Sequence, residues 1–158
     1  MRLRSATILA LCVSLIGHVT PIAAQSQRGA VAFQSDQDRK SFEVFWPRFR
    51  EALLQGNYEV VTSMTQIPLE VRGELDTDAI RSAEPSELRS VLMRALASDS
   101  GLSLRGRLTN RSLVERVTSP LQPAPGVAVT PQSARIGAFG FEHHATGWRL
   151  QRVFLSAD

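Results

Sequence analysis

The stretch FWPRFREALLQGNYEVVTSMTQIPLEV, residues 45–71, contains a helix pattern, a helix stop and a strand pattern in immediate succession. Its apolar residues first recur at intervals of three and four, the spacing of one buried helix face. With the preceding turn included, this apolar stripe consists of Phe42, Phe45, Trp46, Phe49, Ala52 and Leu53. Gly56 is a typical residue just past a helix end, and Asn57 is a typical cap for the next helix. The sequence therefore predicts a helix from about residue 38 to 55 and a short one over 57–64.

Pro47 lies inside the first predicted helix, although the apolar stripe stays in phase on both sides of it. A proline removes one helical hydrogen bond and clashes with the turn before it. Two interpretations are open: one helix kinked near Trp46, or a short helix followed by a second that starts at Pro47. In both, Pro47 directs the aromatic residues onto one surface.

In the rest of the chain, segments with a clear secondary-structure pattern alternate with segments that have none. Leu69 and Val71 alternate with polar residues after Pro68, which is typical of a strand. A third helix is expected to start at Ser82 or Ala83, and its buried face consists of Leu88, Val91, Leu92, Ala95 and Leu96. A further short helix is expected at SLVERV, and the four prolines of residues 119–132 indicate a surface loop. The final segments, ARIGAFGFEHH and GWRLQRVFL around the turn HATG, predict an antiparallel hairpin with a bulge near its glycines.

The N-terminus has the pattern of a secretory signal peptide. Arg2 and Arg4 precede an apolar run from Ile8 to Ile16, and a small-residue cleavage site ends at Ala24. We therefore expect three parts: residues 1–24 as the signal peptide, 25–37 as a flexible mature N-terminus, and 38–158 as one domain. The expected location is the periplasm or the outside of the cell, with no membrane-spanning segment in the mature chain.

Removal of residues 1–24 excludes several function classes. The only cysteine is lost, so the mature chain can form neither an intramolecular disulfide nor a thiolate metal site. Without Arg2 and Arg4, 16 basic residues face 15 acidic ones, which gives no electrostatic case for nucleic-acid binding. We expect no cofactor and no metal site, because no phosphate-binding glycine loop or ligand cluster is present.

The order of these segments resembles the NTF2-like, or cystatin-like, α+β superfamily, and within it small exported bacterial proteins of unassigned function. The resemblance covers about residues 38 to 155, and three segments carry it: FWPRFREALLQGNYEVVTSM, IPLEV and GFEHHATGWRLQRV. It implies N-terminal helices packed on a curved antiparallel sheet that forms a cone, closed by a C-terminal β-hairpin. No motif in the matched segments is catalytic, and fold alone does not assign function.

Two sets of residues are candidates for chemistry. NTF2-like enzymes similar to ketosteroid isomerases hold a buried carboxylate inside the cone, where burial shifts its pKa for proton abstraction. Tyr58 and a buried acid such as Glu70 or Asp76 would be the matching residue types here. His143 and His144 are adjacent on a strand, so their imidazoles point to opposite faces, and a turn at the hairpin end is expected for them. We assign no catalytic, cofactor-binding or metal-binding residue from the sequence.

The sequence favours a non-catalytic module of the bacterial cell envelope that binds a small apolar ligand or an envelope protein. The expected lining of its pocket is aromatic and consists of Phe45, Trp46, Phe49, Tyr58, Phe139, Phe141 and Trp148. Two alternatives stay open: a cofactor-free enzyme of the ketosteroid-isomerase type, and a structural or inhibitory envelope protein without a pocket. A homodimer is compatible with the sequence, but no residue indicates it.

Overall fold

The structure is a computed structural model that describes residues 22–73, 79–102 and 108–155, with side chains from residue 36 onward. The described helices are α1 (Ile22–Gln55), α2 (Tyr58–Ser63), α3 (Leu88–Ala97) and α4 (Asn110–Arg116). The described strands are β1 (Thr65–Arg72), β2 (Arg81–Ala83), β3 (Val127–Val129), β4 (Ser133–Ile136), β5 (Phe139–His144) and β6 (Gly147–Phe154). This is an α+β fold, as the sequence predicts.

The six strands form one open sheet in the order β2-β1-β6-β5-β4-β3. Four neighbouring pairs are antiparallel. The pair β1–β6 is parallel, so the expectation of a wholly antiparallel sheet needs correction. A parallel pair needs a long crossover connection, and here the rest of the domain, from β2 to β5, supplies it between the first strand and the last.

Helix α1 runs without interruption through Pro47, which excludes the interpretation with two helices. Pro47 lies on the exposed side of the helix, where water can hydrate the carbonyl that its missing N–H leaves unpaired. The helix also begins earlier than expected, at Ile22, so the backbone of residues 25–37 is helical. Flexibility of that segment in solution stays a prediction, and residues 1–21 of the signal peptide lie outside the described residues.

The turn from α1 to α2 forms as the sequence indicates. Gly56 has a φ of 70°, the left-handed conformation that glycine adopts without strain. The amide of Asn57 donates to the carbonyl of Ala52 at 2.8 Å, and that of Gly56 donates to Leu53 at 3.2 Å. These two bonds are the pair expected at a glycine-terminated helix end. The side chain of Asn57 then accepts from the amide of Val60 and caps α2.

The expected start of the third helix is wrong. Residues 81–83 form the edge strand β2, in which Ala83 pairs with Leu69 of β1, and α3 begins only at Leu88. The short length of this strand and the polar residues around it gave no alternating pattern to detect. The buried face of α3 is confirmed in full: Leu88, Val91, Leu92, Ala95 and Leu96 are all buried.

The C-terminal hairpin is confirmed, with Ala145 and Thr146 as its two-residue turn. Its register shifts where Gly140 pairs with Arg152 and Phe141 with Leu150, which leaves Gln151 as the extra residue of a bulge. The bulge changes the alternation along β6, so Leu150 and Val153 are both buried despite their odd spacing.

A buried asparagine joins α4 to the β4–β5 turn. Asn110 is 2% exposed, and its Oδ1 accepts from the amide of Ala138 at 2.9 Å. Its Nδ2 donates to Ser98 Oγ at 3.0 Å and lies near two backbone carbonyls of the same loop. The side chain therefore links three segments of the fold, and it supplies the partner of the buried amide of Ala138.

We expect Gly137→Ala to lower the free energy of unfolding by about 2 to 4 kcal/mol, because it combines backbone strain with a steric clash. Gly137 has a φ of 55°, and a Cβ there would lie 2.2 Å from Asn110 Oδ1. Gly101→Ala is the matched control, since Gly101 has a φ of 69° and no atom of the described residues lies within 4 Å of the same position. Urea denaturation should give a clearly smaller loss for Gly101→Ala; equal losses would show that the clash is relieved.

Candidate functional site

The aromatic residues predicted to line a pocket are mostly in contact with one another. Trp46, Phe49, Phe139, Phe141 and Trp148 are buried, whereas Phe45 and Tyr58 are half-buried. Ring centroids of Phe42 and Trp148 lie 4.7 Å apart, and those of Phe49 and Phe141 lie 5.0 Å apart, both nearly edge to face. These are packing distances for aromatic pairs. The rings themselves therefore occupy the space between α1 and the sheet in this region.

The polar atoms of both tryptophans are used in internal contacts. Trp46 Nε1 donates to the carbonyl of Val117 at 2.7 Å, just past the end of α4. Trp148 Nε1 donates to Ser41 Oγ at 2.8 Å. Buried indole N–H groups usually need such a partner. Both indoles thus connect α1 to other elements of the fold and leave no donor for a ligand.

The structure describes one of the two carboxylates considered for catalysis, and that carboxylate does not lie in the core. Glu70 lies on β1 between the buried Leu69 and Val71, so it points to the other face of the sheet, where it pairs with Arg72. Asp76 lies outside the described residues. Of the two carboxylates considered from the sequence, the one that the structure describes therefore does not lie in the core as a buried general base.

The histidine pair lies at a cleft of about 580 Å³ at the end of the hairpin. His143 Nδ1 lies 3.9 Å from Asp38 Oδ1 on α1, which is too long for a hydrogen bond. The imidazole also packs on Trp148, with centroids 5.1 Å apart. His144 lines the same cleft. Within the described ranges, no group of three His, Cys, Asp or Glu residues could hold a metal ion.

The end of α1 forms an open groove with α2, α3 and the start of α4, which we call the helical groove. Its volume is about 510 Å³. Its lining consists of Leu53, Leu54, Gln55, Gly56, Tyr58, Met93, Leu96, Ala97, Thr109 and Arg111. The lining is mostly apolar, and its polar side chains are those of Gln55, Tyr58, Thr109 and Arg111. Tyr58 is the residue that this groove shares with the lining predicted from the sequence.

Local structure explains why the helical groove is open. The tight turn at Gly56 places α2 across the end of α1, and Tyr58 begins α2 there. On α3, Met93 lies off the buried stripe and is 51% exposed, while Leu96 is buried. The guanidinium of Arg89, one turn before Met93, lies 5.5 Å from the centre of the Tyr58 ring. This cation–π contact holds the tyrosine at the edge of the groove.

A third depression, of about 300 Å³, lies between α4 and residues 118–125. Leu102 and Leu108 contribute to its lining, and they flank residues 103–107, which lie outside the described residues. Its full boundary is therefore not defined by the described part of the chain. Of these three surfaces, the helical groove is the one that has a mostly apolar lining and is formed wholly by described residues.

Sequence reasoning missed most of this groove because its residues come from four elements. One signal was available: Met93 falls outside the apolar stripe of α3, so its exposure follows from helical spacing. The contact between Asp38 and His143 was also missed. Neither pattern nor spacing relates two residues so far apart in the chain.

The elements define a single α+β class: helices packed against an open, mixed six-stranded sheet. A similar solved structure is an NTF2-like protein with a cystatin-like fold from Novosphingobium aromaticivorans, with 14% sequence identity and a TM-score of 0.37, covering 88% of this chain and 89% of that chain. Its description names the superfamily that the sequence resembles. No protein-family model matches the chain, and no curated protein matches it. The assignment to the α+β class rests on the element order and strand pairing of this chain.

Proposed function

We propose that the protein is a non-catalytic binding module whose ligand site is the helical groove. One observation carries the proposal: the half-exposed Met93 lines a mostly apolar groove of about 510 Å³. Ligand sites in proteins commonly have volumes of about 300 to 1,000 Å³ and a mostly apolar lining with few polar groups. The helical groove has these properties, whereas the space expected inside the cone is filled by aromatic rings.

The exposed methionine supports a binding role because its flexible thioether adapts to differently shaped apolar ligands. Leu54 and Tyr58 are half-buried beside it and offer further apolar surface. A ligand that covers these side chains removes apolar area from water, at a gain of about 25 cal/mol for each Å². The proposed ligand is therefore small and has an apolar body.

The two alternative functions have less support. An enzyme of the ketosteroid-isomerase type needs a buried carboxylate, and Glu70 instead pairs with Arg72 on the far face of the sheet. A structural or inhibitory protein without a pocket agrees with the filled aromatic core, but not with the open helical groove. A protein partner that inserts an apolar side chain would use the same groove.

We further propose that the module is exported and acts in the bacterial cell envelope. The support is the signal-peptide pattern of residues 1–24 with its cleavage site after Ala24. In the part of the chain that the structure describes, no helix has the length and apolarity to cross a membrane. Expression of the full chain followed by N-terminal sequencing should give a mature protein that starts at Gln25; retention of Met1 would contradict export.

We expect Met93→Glu to weaken the binding of N-phenyl-1-naphthylamine, an uncharged aromatic probe, by about tenfold or more. The reason is that a carboxylate in the groove must lose water when an apolar ligand covers it, and that desolvation opposes binding. Fluorescence titration of the purified protein measures the affinity. Because Met93 is half exposed in the native fold, the substitution should leave the circular dichroism spectrum unchanged.

Val44→Glu is the matched control for this experiment. Val44 is 80% exposed on α1 and does not line the helical groove, so the same change there should leave probe binding within about twofold. Equal binding by the wild type and Met93→Glu would place the probe elsewhere and contradict the proposed site. No saturable binding by the wild type would also overturn the proposal of a small apolar ligand.

A further inference from the structure

The helical groove has a marked charge asymmetry among the residues that line it. Arg111 is charged, and among the described residues no carboxylate belongs to the lining. Two carboxylates lie just outside, and each already contacts a residue of the groove: Glu51 Oε1 accepts from Gln55 Nε2 at 3.1 Å, and Glu115 Oε1 accepts from Arg111 Nε at 3.2 Å. The groove itself therefore combines an apolar floor with one cationic side chain.

Arg111 keeps donors for a ligand. A guanidinium has five N–H donors, and among the described residues its contact is with Glu115 through Nε. The two side chains are 53% and 50% exposed, and exposed pairs of this kind contribute little to stability. A ligand anion can thus use the remaining N–H groups, and a planar guanidinium binds carboxylates and sulfonates through two parallel bonds.

The backbone under Arg111 is held in place by its neighbours. The adjacent Asn110 is buried and bonded to the loop after α3 and to the β4–β5 turn. Thr109, which also lines the groove, accepts from the amide of Ser112 and caps α4. These contacts fix the backbone of Arg111 beside the groove, so a ligand does not have to order that segment when it binds.

We infer that the ligand of the helical groove is amphipathic, with an apolar body over Met93 and an anionic group at Arg111. This inference rests on the proposed function, because it presupposes that the groove binds a small apolar ligand. Charge complementarity favours this occupant over a neutral hydrocarbon, since the described lining offers one cation, and Glu115 contacts that cation through Nε alone. The chemical class is a hydrophobic carboxylate or sulfonate.

The test compares two probes that share one ring system. 1-Anilinonaphthalene-8-sulfonate carries a negative charge, whereas N-phenyl-1-naphthylamine carries none. We expect Arg111→Gln to weaken binding of the sulfonate by about five- to tenfold, the loss expected for a partly exposed charge-assisted hydrogen bond. Binding of the neutral probe should change by less than about twofold, because its contacts with Met93 and Leu54 remain.

Two further variants complete the experiment. Arg48→Gln removes the same net charge from the exposed surface of α1, outside the groove, and should leave both probes bound as in the wild type. Glu115→Gln removes the partner of Arg111 and should tighten binding of the sulfonate by about twofold or more. It also tests the inference independently, should Arg111→Gln disturb α4.

The outcomes separate the inference from the proposed function. One outcome is that Met93→Glu weakens both probes, whereas Arg111→Gln affects the two probes equally. The groove is then a ligand site, and the inference that its ligand is anionic is wrong. If Arg48→Gln weakens the sulfonate as much as Arg111→Gln does, the effect is one of net charge and the inference is also overturned. If neither probe binds, the proposed function is contradicted, and the inference that rests on it is contradicted as well.

Discussion

We expect Trp46→Ala to lower the free energy of unfolding by about 4 to 5 kcal/mol, at the upper end of what removal of a large core side chain costs. Trp46 is completely buried, and its ring packs against Phe42, Phe49 and Phe141. The substitution leaves a cavity and removes the only indole donor to the carbonyl of Val117. Since small domains have a total stability of about 5 to 15 kcal/mol, such a loss would be visible at once in urea denaturation.

Two variants separate packing from hydrogen bonding in this prediction. Trp46→Phe keeps most of the ring volume and removes the donor, so its expected cost is about 1 to 2 kcal/mol. Val44→Ala changes an exposed position two residues away on the same helix and should cost less than about 0.5 kcal/mol. If Trp46→Ala costs no more than Trp46→Phe, the indole does not fill the core and a pocket beneath α1 has to be considered again.

We expect Asn110→Ala to lower the free energy of unfolding by about 3 kcal/mol, because it leaves the buried amide of Ala138 without a partner and removes the side-chain bond to Ser98. The carbonyl and hydroxyl of Ser98 keep their contacts with the Asn110 amide and the Ala95 carbonyl, so the Ala138 amide accounts for most of the expected loss. Thermal or urea unfolding of the purified protein measures the loss.

Asn110→Asp is a second variant that tests the hydrogen bonds of Asn110 more specifically. It has nearly the same shape, but it replaces the Nδ2 donor by an oxygen that faces Ser98 Oγ and the carbonyls of Ser98 and Asp99. A charge buried against carbonyl oxygens is costly, so we expect Asn110→Asp to lose at least as much stability as Asn110→Ala at pH 7. A stability close to that of the wild type would mean that the site is hydrated and does not bury the asparagine.

The local elements were predictable where a single repeating pattern covers several turns or a tight turn uses a characteristic residue. The stripe from Phe42 to Leu53, the turn at Gly56, the cap at Asn57 and the terminal hairpin all follow from neighbours in the sequence. The strand β2 was misread as the start of a helix, because three residues at a sheet edge are too few to show a period.

The candidate site was predictable only in part. Aromatic residues were correctly recognised as facing the sheet, but their role as a pocket lining and their role as a packed core give the same sequence pattern. Ring centroids of α1 lie 4.7 to 6.0 Å from those of Phe141 and Trp148, which distinguishes a packed core from a pocket. That distance depends on how closely α1 approaches β5 and β6. Of the residues proposed for binding, the sequence indicated Tyr58 as part of a pocket lining.

The sequence by itself determined which segments are helices and strands over most of the described chain, since these depend on the spacing of apolar residues and on turn chemistry within a few positions. Only the tertiary structure decided that β1 and β6 pair in parallel, that Asn110 joins three distant segments, and that the space under α1 is filled. It also decided where a groove is left open. Contacts between residues that are far apart in the chain follow from the packing of whole elements, and no local pattern encodes the gap between them.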